Sequence, residues 1–125
     1  MAKIHYLKRS KTEAVVKCYE TNSGGGTINV ALSALASNGE TFNANDAFVT
    51  VREIFWGSKK DKQLDITRIV PSDPSGFHSH YYLINTGHYD FNGFVDDTYA
   101  NSDISITGDG AFHVILKLGK VKGYT

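Results

Sequence analysis

Apolar residues recur along this chain at every second position. Ile28, Val30 and Leu32 alternate with Thr27, Asn29 and Ala31, and Val49, Val51 and Phe55 with Thr50, Arg52 and Ile54. Leu64 and Ile66 alternate with Asp65 and Thr67, and Ile104 and Ile106 with Asp103 and Ser105. A strand turns successive side chains to opposite faces, so a period of two marks strands with one face in a core and one in water. β-Branched residues, which suit a pleated surface, are enriched in the same segments. Further strands are expected at 14–19, 77–84 and 111–118. Only 31–37 has helix-forming residues; Gly39 stops it, so it is read as strand exit or loop.

Turn chemistry falls between the strands. Asn22-Ser-Gly-Gly-Gly26 reads as a hairpin turn, and 57–62 as a charged loop. The segment 71–76 holds both prolines and reads as a turn, as do Asn85-Thr-Gly87, Asn92-Gly93 and Gly108-Asp-Gly110. Short strands with turns about every ten residues predict an all-β fold. The expected architecture is a single antiparallel β-sandwich or jelly-roll-like barrel of about seven to eight strands. It spans residues 13–125, after an N-terminal polar arm, 1–12, that orders against a partner. The strand and tight turn near the end of the chain imply a last strand that pairs with something far back in the sequence.

Composition narrows the function. At 125 residues the chain suits one domain. Thirteen basic residues balance thirteen acidic ones, which argues against a dedicated nucleic-acid binder and against electrostatic membrane anchoring. The balance hides an asymmetry. No Lys or Arg stands between Arg68 and Lys117, while Asp73, Asp90, Asp96, Asp97, Asp103 and Asp109 do. If acidic and basic blocks fold onto different faces, identical subunits can attract one another. The single Cys18 has no sulfur partner and reads as a small buried hydrophobe. The N-terminus has charges but no apolar h-region, so no signal peptide is expected.

The reactive constellations are thin. His78-Ser-His80 would turn both imidazoles to one face of a strand, with His88 as a third ligand from across a hairpin. No carboxylate is in fixed register with them, so no metal and no cofactor is expected. Asp90, Asp96 and Asp97 lack a twelve-residue calcium loop. There is no Gly-x-Ser-x-Gly elbow, and Gly24-Gly25-Gly26 lacks the Lys and helix of a phosphate loop. No catalytic residue is assigned.

Several segments, taken in order, resemble a family of small virion proteins of tailed bacteriophages. They are Val15-Val16-Lys17-Cys18-Tyr19, the Gly-rich turn and strand 24–32, the Val49 to Trp56 segment, and Ile66-Thr67-Arg68. Asp90-Phe91-Asn92-Gly93-Phe94 and the closing strands with their Lys-Val-Lys-Gly-Tyr tail complete the series. The sequence departs from the family at Ile69-Val70-Pro71, where an Asn-Gly is usual, and in a longer loop toward Leu83.

The resemblance implies a non-enzymatic structural protein of the virion, made in the host bacterial cytoplasm. It implies above all a capsid decoration (cement) protein that bridges capsid subunits. A neck or tail component and a carbohydrate- or host-surface-binding module are the alternatives, with a metal-dependent hydrolase using His78, His80 and an Asp behind them. Implied partners are the major capsid protein or other virion proteins, with self-association as a trimer or higher ring, and neither nucleic acid nor membrane. Contact candidates are Lys8, Arg9 and Lys11 in the arm, Lys117, Lys120 and Lys122 near the end, and Trp56, Tyr81 and Tyr82 as anchors. His78 and His80, in the loop particular to this chain, complete the contact candidates.

Overall fold

A computed structural model describes residues 2–125, in which nine strands form two antiparallel sheets. In chain order they are β1 (Ala2–Arg9), β2 (Glu13–Glu20), β3 (Gly26–Val30), β4 (Phe48–Ser58), β5 (Gln63–Ile69), β6 (Phe77–Ile84), β7 (Thr86–Asp90), β8 (Ile104–Gly108) and β9 (Phe112–Lys122). Sheet A has the order β1-β2-β9-β4-β7 and sheet B the order β3-β8-β5-β6. Except at the β1–β2 and β5–β6 hairpins, the chain changes sheet at every connection. With β1 set aside, that is the connectivity of an eight-stranded jelly roll.

The alternation places the core. Ala14, Val16 and Cys18 of β2, Ile28 and Val30 of β3, and Leu64 and Ile66 of β5 all point between the sheets. Ile104 and Ile106 of β8 join them, as do Phe112, Val114, Leu116 and Leu118 of β9. A fully enclosed Leu such as Leu116 contributes about 2 kcal/mol over an exposed one. Burial pushes the Cys18 thiol up to about 12, so it stays a neutral hydrophobe at physiological pH. A short 3₁₀ turn, Leu32–Leu35, plugs one end of the sandwich with two buried leucines where a strand exit or loop is expected.

Four features differ from the sequence expectation. The described part of the N-terminal arm is an ordered strand: β1 pairs with β2 from Ala2–Glu20 to Arg9–Ala14. Met1 lies outside the described residues. Its Ile4 and Tyr6 supply a partly buried stripe against the core that the surrounding charges conceal. Second, Thr86 and Gly87 of the expected Asn85-Thr-Gly87 turn begin a strand, β7, which pairs with β4. Third, the Gly-rich segment after β2 is a crossover between sheets, not a hairpin turn. Fourth, the phase of β4 slips. Val51 pairs with Leu118 and Glu53 with Lys117, so Arg52 is the extra residue of a β-bulge. A one-residue bulge exchanges the faces beyond it, so Ile54 enters the core and Phe55 is exposed.

Candidate interaction surface

The exposed face of sheet A carries a ribbon of alternating charge. Lys8 Nζ donates to Glu13 Oε1 at 3.1 Å; Lys117 Nζ lies 3.7 Å from Glu13 Oε2 and 3.5 Å from Glu53 Oε2. Glu53 Oε1 in turn meets His88 Nε2 at 3.1 Å, and Arg52 reaches Glu13 at 3.5 Å. Partial burial would raise Glu13, but the Lys8 hydrogen bond with Lys117 and Arg52 nearby holds its carboxyl below the ordinary range. The ribbon is thus largely self-compensated.

Apolar side chains stand over one part of it. The loop after β7 lifts Phe94 and Val95, 80% and 65% exposed, above a groove of about 380 Å³. Thr50, Glu53 and Lys117 line the groove with them, and Val121 closes it opposite. Val121 is exposed because it continues the outward phase of Ile115 and Lys117 on β9. Exposed apolar groups gathered beside charged ones are the composition of a contact surface.

A second polar group fills the inner end of sheet B. Arg68 follows Leu64 and Ile66 on the inward phase of β5 and is fully buried. Its Nη2 donates to the Val49 carbonyl at 2.7 Å and its Nη1 to the Ser102 carbonyl at 2.8 Å. Burial lowers the guanidinium to about 10, which still leaves it charged at neutral pH. His80 sits beside it in the bulge of β6, where Ile66 pairs with Tyr81 but Thr67 with Ser79. Its side chain is only 3% exposed, with Nε2 3.5 Å from Asp96 Oδ2. Burial pushes this imidazole down to about 4, so it is neutral at physiological pH. Tyr81 donates its hydroxyl to the same Asp96 oxygen at 2.7 Å. Burial alone would raise Asp96, but hydrogen bonds from Tyr81 and Thr98 keep it below the usual carboxylate range. The Arg68–Ser102 and Tyr81–Asp96 hydrogen bonds tie the loop after β7 to sheet B and hold the segment that presents Phe94.

The structure separates the residues singled out from the sequence. Lys8, Arg9, Lys11 and Lys122 are exposed, Lys117 is half-buried within the ribbon, and Tyr82 stands out from sheet B. Lys120 is withdrawn from any contact role because it continues the inward phase of Leu116 and Leu118. Its Nζ is buried against Glu40 Oε1 at 2.5 Å and the Ser10 carbonyl at 2.6 Å. Trp56 is half-buried, its indole N–H donating to the Ile84 carbonyl at 3.2 Å, and Tyr81 is committed to Asp96, so both serve the fold. His78 packs on Tyr99, and its ring centre lies 6.4 Å from that of His80. His88 is on the other sheet, stacked on Phe55 at 4.1 Å, and does not join them. It instead brings one ligand-type atom within 4.8 Å of those of Glu53 and Asp90. The sequence reading missed Phe94, Val95, Glu13 and Glu53. An Asn-Gly turn between two phenylalanines was the available signal for the first.

No known protein-family profile matches the chain, and no curated protein matches it. Among solved structures it is similar to a cupin superfamily protein from Desulfitobacterium hafniense DCB-2. That likeness has a TM-score of 0.44 and 13% identity, over 98% of this chain and 79% of that one.

Proposed function

We propose that the protein is a non-enzymatic structural component of a tailed-phage virion, most specifically a capsid decoration protein that stabilises the head by bridging capsid subunits. The observation that carries this reading is Phe94 with Val95, held out over the groove on sheet A. Apolar groups presented this far into water gain free energy when a partner covers them, and the charged ribbon beside them supplies a polar rim. The hydrogen bonds from Arg68 to Ser102 and from Tyr81 to Asp96 support the reading in a second way, because a contact loop fixed before binding loses little entropy on docking. The resemblance of several segments, in order, to small virion proteins supplies the specific class. The major capsid protein is the partner in this reading, a neck or tail protein its variant, and the molecule self-associates. Quantitative mass spectrometry of purified particles tests it. Copies in the hundreds mean lattice decoration, a ring's worth means neck or tail, and absence from particles overturns the reading.

One observation favours a carbohydrate-binding alternative. His5 and Tyr19 stack at 5.7 Å and 15° on the exposed face of sheet A, with Lys17 and His113 beside them. Such ring platforms suit sugar faces. Binding on a glycan array, lost in Tyr19→Ala, would favour this alternative over the structural one.

A further inference from the structure

Two rows of paired residues cross sheet A from edge to edge. One runs Tyr6, Val16, Leu116, Ile54, Tyr89, and the next Lys8, Val15, Lys117, Glu53, Asp90. Lys8, at one end of the charged ribbon, and Asp90, beside its other end, therefore stand at one level on opposite edges. The edges differ in sign. β1 carries Lys3, Lys8 and Arg9, with Lys11 just beyond and no Asp or Glu. β7 and the following loop carry Asp90, Asp96 and Asp97 with no Lys or Arg. Because β1 and β7 run in the same direction, Arg9 and Lys11 lie past the Lys8 row on the side where the acidic loop leaves β7. Each edge also has an exposed apolar residue between the two levels or on one of them: Leu7, displaced by a bulge, and Tyr89.

The geometry points to a second copy of this chain as the occupant of these edges, bound head to tail. The basic β1 edge of one copy meets the acidic β7 edge of the next, with Lys8 against Asp90 and Leu7 against Tyr89. A symmetric contact of β1 with β1 would oppose basic residues to basic residues, and β7 with β7 acidic to acidic, so like charges select the unlike pairing. The Leu7 bulge interrupts the backbone ladder of β1, which leaves the contact to side chains. A heterologous contact of this kind repeats until rotation closes it into a ring. The proposal deepens the self-association in the reading above, but its test needs only purified protein. Its failure would leave the particle count standing, and the reverse holds as well.

The test is the mass of the intact chain by light scattering and native mass spectrometry. The expected result is a closed oligomer whose association weakens at least about tenfold between about 50 mM and about 500 mM NaCl, as screening shortens. Lys8→Glu with Arg9→Glu, and separately Asp90→Lys with Asp97→Lys, should each give monomers with wild-type circular dichroism. Mixed in equal amounts, the two variants should bind each other in alternation, because the reversed edges complement each other, so any ring they close has an even number of copies. A monomeric wild type at all concentrations and salts would overturn the proposal, as would a salt-insensitive oligomer. So would failure of two folded variants to bind each other when mixed. If either variant does not fold, the wild-type salt series decides.

Discussion

Arg68 and Val49 are joined across the sandwich by a charged hydrogen bond of 2.7 Å, from Nη2 on sheet B to a carbonyl on sheet A. With the second bond to Ser102, one buried side chain fixes the start of β4 and the end of the loop that bears Phe94. Arg68→Met keeps much of the volume but leaves two carbonyls without a donor. A loss of about 3 kcal/mol in urea-unfolding free energy is expected. A loss below about 1 kcal/mol would mean that the carbonyls find other donors.

His80 gives the fold an acid sensitivity of defined sign. Its folded-state value, about 4, lies below the ordinary imidazole value of about 6.5, so the unfolded chain takes up its proton first. The stability from keeping it neutral is complete above about pH 6.5 and is lost as pH falls toward 4. Urea midpoints of wild type and His80→Gln across that range should converge on acidification. Parallel curves would show that the imidazole does not titrate differently in the two states.

Glu40 acts in a lower window. The hydrogen bond from Lys120 holds its carboxyl at about 2, below the unfolded value of about 4.3. Its contribution is present above about pH 4.3 and lost as pH falls toward 2. Glu40→Gln should be less stable than wild type at pH 7, and the gap should close below pH 4. A constant gap over this range, measured by thermal unfolding, would contradict the assignment.

Gly123 is required by both backbone and space. Its φ is +99°, and a Cβ there would lie 2.4 Å from the Cα of Ala47. Gly123→Ala should cost about 2 kcal/mol or more from overpacking and the strained φ. Gly39, also at positive φ, has open space around it, so Gly39→Ala should cost less. Differential scanning calorimetry of the pair separates crowding from φ alone.

Phe94 tests the surface directly. Because it is largely exposed, Phe94→Asp should change unfolding free energy by no more than about 0.5 kcal/mol. On the structural reading it should strip the protein from particles in a reconstitution assay. Unchanged particle binding would remove Phe94 from the contact.

How much of this was legible in the sequence follows from what period two can and cannot carry. It assigns the inward face of β3, β5 and β8 correctly, and continued along β5 and β9 the same alternation reaches Arg68 and Lys120. Lys120 was misjudged by residue type and Arg68 was passed over, since Arg and Lys are rarely buried, although the phase placed both inside. On β4 the period fails at Arg52, because a bulge has no signature in alternation, and Phe55 and Ile54 exchange places. β7 was hidden by Gly87 and by the turn residues Asn85-Thr-Gly87 at its start. The salt-bridged ribbon was invisible because Glu13, Lys117 and Glu53 meet only through pairings far apart in sequence, which periodicity does not specify.

The placement of β9 has a consequence for how the chain is made. It lies in the middle of sheet A, between β2 and β4, yet it is the last of the nine strands in sequence. During synthesis β2 and β4 emerge with no strand to join them, and each exposes an unpaired edge and an apolar face. Sheet A therefore closes in one late step when β9 inserts, so the vulnerable interval is set by the translation of the residues between β4 and β9. Slowing the ribosome there should raise aggregation without altering the finished fold.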